Sequence, residues 1–334
     1  MKYAPILIPT LCRSEHFIRC IESLKKNGWA KYTDVYVALD YPAKEAHWKG
    51  YTKIKEYLQG DFSEFLSFNV IVREANYGSA RNMSEMRTEI LKKYDRFIRT
   101  DDDCEFSPNF IEYMDKCLEK YEKNSDVIAV TGYSYPIKWS VASDCTALKN
   151  SLIFPMWGTG FWKDKFVNVK IDLESDFIGK YVRKYGVNRN EMTDARYLDC
   201  MCAATNYGNT LTKCISDIAC GCYMQLTNKF IITPVVSLVR NYGFDGSGVW
   251  CQDIQNAKRD ENKAQTYNYQ KQKIDDNYTF ELKVDENCSF ELNRKALNIF
   301  DNRDEKTIKK CEKKLKIQKY LGPFIYKKIW EIVH

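Results

Sequence analysis

The sequence predicts an α/β fold: a mainly parallel central sheet with helices on both faces, followed by a basic helical C-terminal extension. Three observations lead there. From Ala4 to Thr131, apolar runs of strand length alternate with segments of helical period, the pattern that repeated βα units produce. Each run stops at a turn residue or an acidic one. No stretch approaches the ~18 uncharged apolar residues that a membrane-crossing helix needs, so none is expected.

The elements follow in order. Ala4–Ile8 is a short apolar run closing at Pro9-Thr10. Ser14 is expected to cap a helix whose apolar face is Phe17, Cys20, Ile21 and Leu24, ending at Asn27-Gly28. Val35–Leu39 reads as a second buried strand, broken by Asp40-Tyr41-Pro42, and a helix with Ile54, Tyr57 and Leu58 inward follows. Asn69–Val72 is a third strand, and Asn76-Tyr77-Gly78 leads into a helix through Met83, Met86 and Ile90. Arg96–Arg99 is a fourth strand, running into Asp101-Asp102-Asp103. Ser107-Pro108 is expected to be an N-cap with proline at the first helical position, and that helix carries Phe110, Ile111, Met114 and Leu118. Val127–Thr131 is a fifth strand.

A chain of 334 residues fits one large domain with an appendage, or two domains. At 44% hydrophobic and 29% charged it is neither disordered nor fibrous. Met1–Pro9 reads as a strand rather than a signal peptide, and thirteen cysteines, an odd count, point to reduced thiols in the cytoplasm. Cys200, Cys202, Cys214, Cys220 and Cys222 cluster, but as CxC pairs without a nearby histidine. Buried thiols suit that spacing better than a zinc site. Nine lysines against four acidic residues between Asp304 and His334 supply nearly all of the net charge of +6. The folded body is close to neutral, which argues against a nucleic-acid reader.

In sheets of this kind ligands bind beyond the carboxyl ends of the strands. Thr10 and Arg13 follow the first strand, Asp40 the second, Asn76 and Arg81 the third, and Asp101–Asp103 the fourth. Each alone is ordinary turn chemistry; together at one edge they make a candidate site. Neither GxGxxG nor GxxxxGK[ST] occurs, so nicotinamide and P-loop readings lack their phosphate cradles. Adjacent aspartates repel, and a divalent ion held by one or two carboxylates plus substrate phosphates would stabilise them. An extended chain would put Asp101 and Asp103 on one side and Asp102 on the other.

Strand, Pro9-Thr10, helix, strand ending in Asp40, Asn76-x-Gly78 loop and acidic triplet together resemble nucleotide-diphospho-sugar glycosyltransferases of the GT-A (Rossmann-like) fold. The likeness is greatest to bacterial family-two-like sugar transferases and more distant to Golgi N-acetylglucosaminyltransferases. The block Thr100–Phe110 is similar to that group's Glu-Asp-Asp…Ser-Pro-x-Phe pattern, with Asp101 in place of the usual Glu. Val130–Pro136, Trp157-Gly158-Thr159-Gly160-Phe161-Trp162, Asp217 and Asn241–Gly248 continue it, so the resemblance spans roughly residues 3–250. Some relatives carry a histidine shortly after the closing Gly-rich motif; here Val249-Trp250-Cys251 follows.

The resemblance implies a catalytic domain over 1–250, with a nucleotide-sugar-binding half at 1–135 and an acceptor-side half at 136–250. A divergent extension at 251–303 and a basic amphipathic tail at 304–334 follow. It implies that Pro9, Thr10 and Asp40 line the base and ribose, with Arg13 beside them, and that Asn76, Gly78 and Arg81 shape the sugar-nucleotide pocket. Asp101 and Asp102 would face the ribose or donor sugar, Asp103 would hold manganese or magnesium with phosphates and water, and Trp157, Gly158, Gly160 and Trp162 would form a loop between donor and acceptor. Asp217 takes the place of the base. The activity implied is inverting hexosyl or N-acetylhexosaminyl transfer from a UDP-sugar to a glycan or lipid-linked glycan.

That chemistry needs a stabilised leaving diphosphate, one carboxylate to take the acceptor proton, and exclusion of water. Asp194 and Asp199 are rival bases, and Asp217 also suits the first turn of a helix through Tyr223 and Leu226. The tryptophan block reads as a mobile aromatic lid, with core packing as the alternative. Two other functions compete: a non-catalytic carbohydrate-binding or scaffold protein, which would have lost the aspartates, and a sugar-phosphate nucleotidyltransferase, which would want a Gly-rich loop after the first strand. In the tail, Ile308, Cys311 and Leu315, then Phe324, Ile325, Ile329, Trp330 and Val333, form apolar faces among lysines. This suits either peripheral docking on the anionic inner face of a membrane or a helix packed on the domain.

Overall fold

The structure, a computed structural model, describes residues 1–135, 139–151, 153–174, 217–243 and 273–287, and the single positions 245, 247, 248, 313, 320, 321, 325 and 328. The alternation expected from the sequence is present: β1 (Ile6–Thr10), α1 (Ser14–Lys25), β2 (Asp34–Leu39), α2 (Trp48–Tyr57), β3 (Ser67–Val72), α3 (Gly78–Ile90) and β4 (Arg96–Arg99). Then come β5 (Cys104–Phe106), α4 (Phe110–Lys120), β6 (Val127–Thr131), β7 (Ala147–Asn150), β8 (Thr159–Trp162) and α5 (Lys163–Glu174). After these lie α6 (Asp217–Thr227), β9 (Phe230–Pro234), β10 (Val239–Asn241) and β11 (Val284–Asp285).

Among the described residues one sheet runs in the order β11-β7-β9-β6-β8-β4-β1-β2-β3, and β10 and β5 form a separate ribbon. β1 pairs in parallel with β2 and β4, and β2 with β3, through registers such as Ile8↔Val37 and Ile6↔Ile98. β8 runs antiparallel to both β4 and β6, so the sheet is mixed. The inner strands are buried on both faces, which is why they read as hydrophobic runs: Ile6, Leu7, Ile8, Val35, Val37, Phe97 and Ile98 are all in the core, whereas β3 at the sheet edge exposes Val70 and Val72. On α4, Phe110, Met114 and Leu118 bury the expected stripe, each contributing about 1.5–3 kcal/mol on leaving water.

Three local expectations are corrected. Ser14 is not the cap; Arg13 is, and the Phe17 N–H bonds to the Arg13 carbonyl, which starts the helix one residue earlier. Ser107-Pro108 does not open α4, because Ser107 and Phe110 close a turn first and Asn109 is the cap. A strand not expected from the sequence, Cys104–Phe106, pairs antiparallel with β10, across more than a hundred residues of sequence. Gly160 and Trp162 belong to no lid. They lie in β8, in the interior of the sheet, with the Trp162 indole N–H donating to the Leu118 carbonyl at 2.9 Å. Core packing accounts for both.

The chain divides into two compact units. The first holds Met1–Lys149, Pro155–Asp164 and Ile231–Ser289. Within it, residues 275–286 close over α4: Asn109 donates to Asp275 at 2.9 Å, the Phe280 N–H to Glu112 at 3.2 Å, and β11 adds to the sheet beside β7. The second holds Asn150–Phe154, Lys165–Phe230 and Phe290–His334, including α6 with Cys220, Tyr223 and Met224 buried. Cys200, Cys202 and Cys214 lie outside the described residues, as does the side chain of Cys222. So does most of the 304–334 tail, although residues 313, 320, 321, 325 and 328 are helical and exposed. No helix among the described residues is long and apolar enough to cross a membrane.

Candidate functional site

Parallel neighbours end on the same side, so the residues that follow β1, β2, β3 and β4 share one edge of the sheet. At its centre is the turn Asp101–Asp103 between β4 and β5. The chain bends here rather than running extended, which changes the expected pairing of the carboxylates. Asp102 and Asp103 converge, and Asp101 stands apart.

One guanidinium gathers the pair. Arg13, held at the start of α1, bonds through Nη2 to Asp102 Oδ1 and through Nη1 to Asp103 Oδ2 at 2.8 Å. The other Asp102 oxygen accepts the Thr10 hydroxyl at 2.7 Å. Asp101 is instead held by Arg99 Nη2, whose other terminal nitrogen donates to the Met156 carbonyl at 3.4 Å. Burial works against the Arg13 charge, but the facing carboxylates outweigh it and raise its pKa. Burial pushes the Asp103 carboxyl up to about 6, with Asp101 and Asp102 adding to the rise against the pull of Arg13. Among these five groups two guanidiniums face three carboxylates.

The loop after β10 closes over this turn. The Tyr242 N–H donates to the Asp103 carbonyl at 2.8 Å, and Asn241 Nδ2 to Asp103 Oδ1 at 3.4 Å. A Cβ on Gly243 would fall 2.1 Å from Asp103 Oδ2, so only glycine lets the backbone approach this closely. Farther along, Asp245 accepts from His16 at 2.8 Å, and Arg19 lies 4.1 Å over the Tyr242 ring, tying the loop to α1.

Asp40 sits buried beside the turn after β3. Its Oδ1 accepts the N–H groups of Tyr41 and Tyr77, at 2.9 and 2.8 Å, and its Oδ2 accepts the Gly78 N–H at 2.8 Å and Asn76 Nδ2 at 3.3 Å. Both carboxylate oxygens are thereby engaged within the protein, where they satisfy orphan donors at the start of α3. Gly78 has φ +73°, a left-handed conformation that the turn into α3 requires. Arg81 is exposed one turn on, paired with Glu85 at 2.7 Å and 3.9 Å over the Tyr77 ring. Pro9 is half-buried in β1, opposite Ala38.

Trp157 and Gly158 precede β8 at the same edge. Trp157 meets Tyr133 edge-on at 4.7 Å and lies 6.4 Å from Tyr135. Asp217 is exposed at the first position of α6, in the second unit. Asp194 and Asp199 lie outside the described residues.

Sequence reasoning did not single out Arg99, nor the Asn241 side chain and Gly243 as neighbours of Asp103. Arg99 had a signal: a charged residue ending an apolar strand two positions before an acidic one. The other two reach Asp103 only through the β5–β10 ribbon, which no local pattern announces.

Among the described residues no three His, Cys, Asp or Glu side chains gather to hold a metal by themselves. A cation that arrives with phosphates needs only one or two carboxylates. Asp103 meets that requirement: it is a hard oxygen donor of the kind that suits magnesium or manganese. Gly243 also keeps side-chain bulk away from it.

No protein-family model matches the chain, and no curated protein does. In structure it is similar to S. aureus TarS, with TM-score 0.33 and 11% identity over 60% of this chain and 33% of that one. It is similar to S. aureus TarS 1-349 in complex with UDP-GlcNAc, with TM-score 0.34 and 14% identity over 52% and 47%. The mannosyltransferase PcManGT from Pyrobaculum calidifontis, in complex with GDP-Man and Mn2+, gives TM-score 0.36 and 12% identity over 54% and 50%. The chain spans from a third to a half of the length of these proteins. Likeness of this degree says nothing of activity; the residues at the sheet edge carry the reading.

Proposed function

We propose that the chain is a metal-dependent, inverting glycosyltransferase of the GT-A type. It moves a hexosyl or N-acetylhexosaminyl group from a nucleotide-diphosphate sugar to a hydroxyl of a glycan or lipid-linked glycan. The observation that supports this most is the aspartate turn. Its carboxylates are braced by Thr10, Arg13 and Arg99 at the carboxyl edge of the parallel strands β1, β2 and β4, are roofed by Gly243, and outnumber the two guanidiniums that brace them. Such a site repels a bare diphosphate and accepts one that comes with a divalent cation.

When bound, the cation would supply positive charge to the departing diphosphate. Asp103 is the residue that would hold it. Thr10 orients Asp102 toward the donor, the Asp40-braced loop Asn76–Gly78 lines the nucleotide side, and Trp157 with Tyr135 offers aromatic surface for a sugar ring. Asp217 is the proposed base, accepting the proton of the attacking hydroxyl. A single base opposite the leaving group gives inversion at the anomeric carbon.

The test is a panel of nucleotide sugars with manganese, followed for slow donor hydrolysis, in the native chain and in Asp103→Ala. Hydrolysis of one donor, lost with chelator and lost in Asp103→Ala at unchanged thermal stability, supports the reading. No turnover of any donor, or turnover indifferent to chelator, refutes it.

A further inference from the structure

We propose that Arg13 is an internal counter-ion, which excludes a divalent cation from the aspartate turn until a nucleoside diphosphate brings one. The role given to the nucleotide rests on the glycosyl-transfer reading; the competition between Arg13 and the cation does not.

The oxygens of the pair are already allotted. Asp102 gives one to Arg13 and one to Thr10, and Asp103 Oδ1 faces Asn241 Nδ2 and the Cys104 thiol. Asp103 Oδ2, which the Arg13 fork holds at 2.8 Å, is the oxygen an incoming cation must share. A metal arriving alone therefore competes with the guanidinium for its charge-assisted contact to Asp103, and the charge it would neutralise is already largely neutralised. A metal arriving with a diphosphate meets a different balance. The displaced guanidinium is a planar fork suited to phosphate oxygens, and the Arg13 side chain is only partly buried. Metal and nucleotide then promote each other's binding by the same factor, because coupling between two ligands is reciprocal. Arg13 is thus a positioning residue that sets the order of loading.

The experiment titrates Mn2+ alone into the full-length chain, with free Mn2+ read by electron paramagnetic resonance, and compares the native protein with Arg13→Met and Arg13→Lys. Methionine keeps the apolar stem and offers only a soft sulfur that manganese does not favour. Without nucleotide, Arg13→Met is expected to bind Mn2+ about 10–100-fold more tightly than the native chain, the worth of one or two charge-assisted hydrogen bonds removed from competition. Arg13→Lys should fall between. Excess UDP should tighten Mn2+ binding strongly in the native chain and much less in Arg13→Met. Equal or weaker Mn2+ binding by Arg13→Met overturns the proposal. If that variant does not fold, Arg13→Lys decides by the same comparison. Should UDP bind to none of the proteins at any Mn2+ concentration, the glycosyl-transfer reading falls, while the metal-only arm still decides for or against the counter-ion.

Discussion

Asp115 provides a sharp test of how the first unit is held together. It lies fully buried on α4, and its Oδ1 accepts the Ala4 N–H at 2.9 Å, where the chain enters β1. Its Oδ2 has no hydrogen-bond partner among the described residues. Burial raises its pKa from 3.8 to about 7, against the Ala4 N–H and the charge of Arg96, with Glu119 adding to the rise. The folded state thus binds its proton more tightly than the unfolded state does. Stability is therefore highest below the unfolded pKa, falls as pH rises through this interval, and levels off above the folded pKa. The whole interval corresponds to about 4 kcal/mol, of which about 2–3 kcal/mol falls between about pH 5 and pH 8. Asp115→Asn keeps an oxygen for the Ala4 N–H and carries no charge at either pH. Urea unfolding followed by tryptophan fluorescence should show the native chain losing about 2–3 kcal/mol relative to the variant across that range. Identical pH dependence of the two proteins would refute the buried, proton-holding carboxyl.

Three further outcomes are expected. Gly243→Ala would drive a Cβ into Asp103, so calorimetry should show Mn2+–nucleotide binding weakened at least tenfold; unchanged affinity would mean that the loop does not rest on the turn. Asp217→Asn should keep donor affinity while lowering the turnover rate by about 10²–10⁴, the usual worth of a positioned base. Full activity in that variant would move the role to Asp194 or Asp199. A chain ending at Arg303 should lose sedimentation with anionic liposomes at low salt, since each lysine near such a surface is worth about 1 kcal/mol. Equal sedimentation of the two chains would leave the tail a structural helix.

The sequence by itself determined the alternation of β1 to β4 with α1 to α3, because strands are built from short apolar runs, whether buried on both faces like β1 or at the edge like β3, and their helices need one apolar stripe. It also determined which polar residues collect at the sheet edge: Thr10, Arg13, Asp40, Asn76 and the three aspartates all follow strands that the parallel arrangement ends on one side. The tertiary structure decided how those residues pair. Asp102 joins Asp103 rather than standing opposite it, because β5 leaves the main sheet for β10 and forces a turn where an extended chain had been expected. It decided that Gly160 and Trp162 are interior, since β8 inserts antiparallel between β4 and β6. It also brought Asn241 and Gly243 onto Asp103. Contacts of this kind join segments far apart in the sequence, by 138 residues for Asn241 and Asp103. Periodicity and turn chemistry act over a few residues and hold no record of such partners; only the closing of the sheet supplies them.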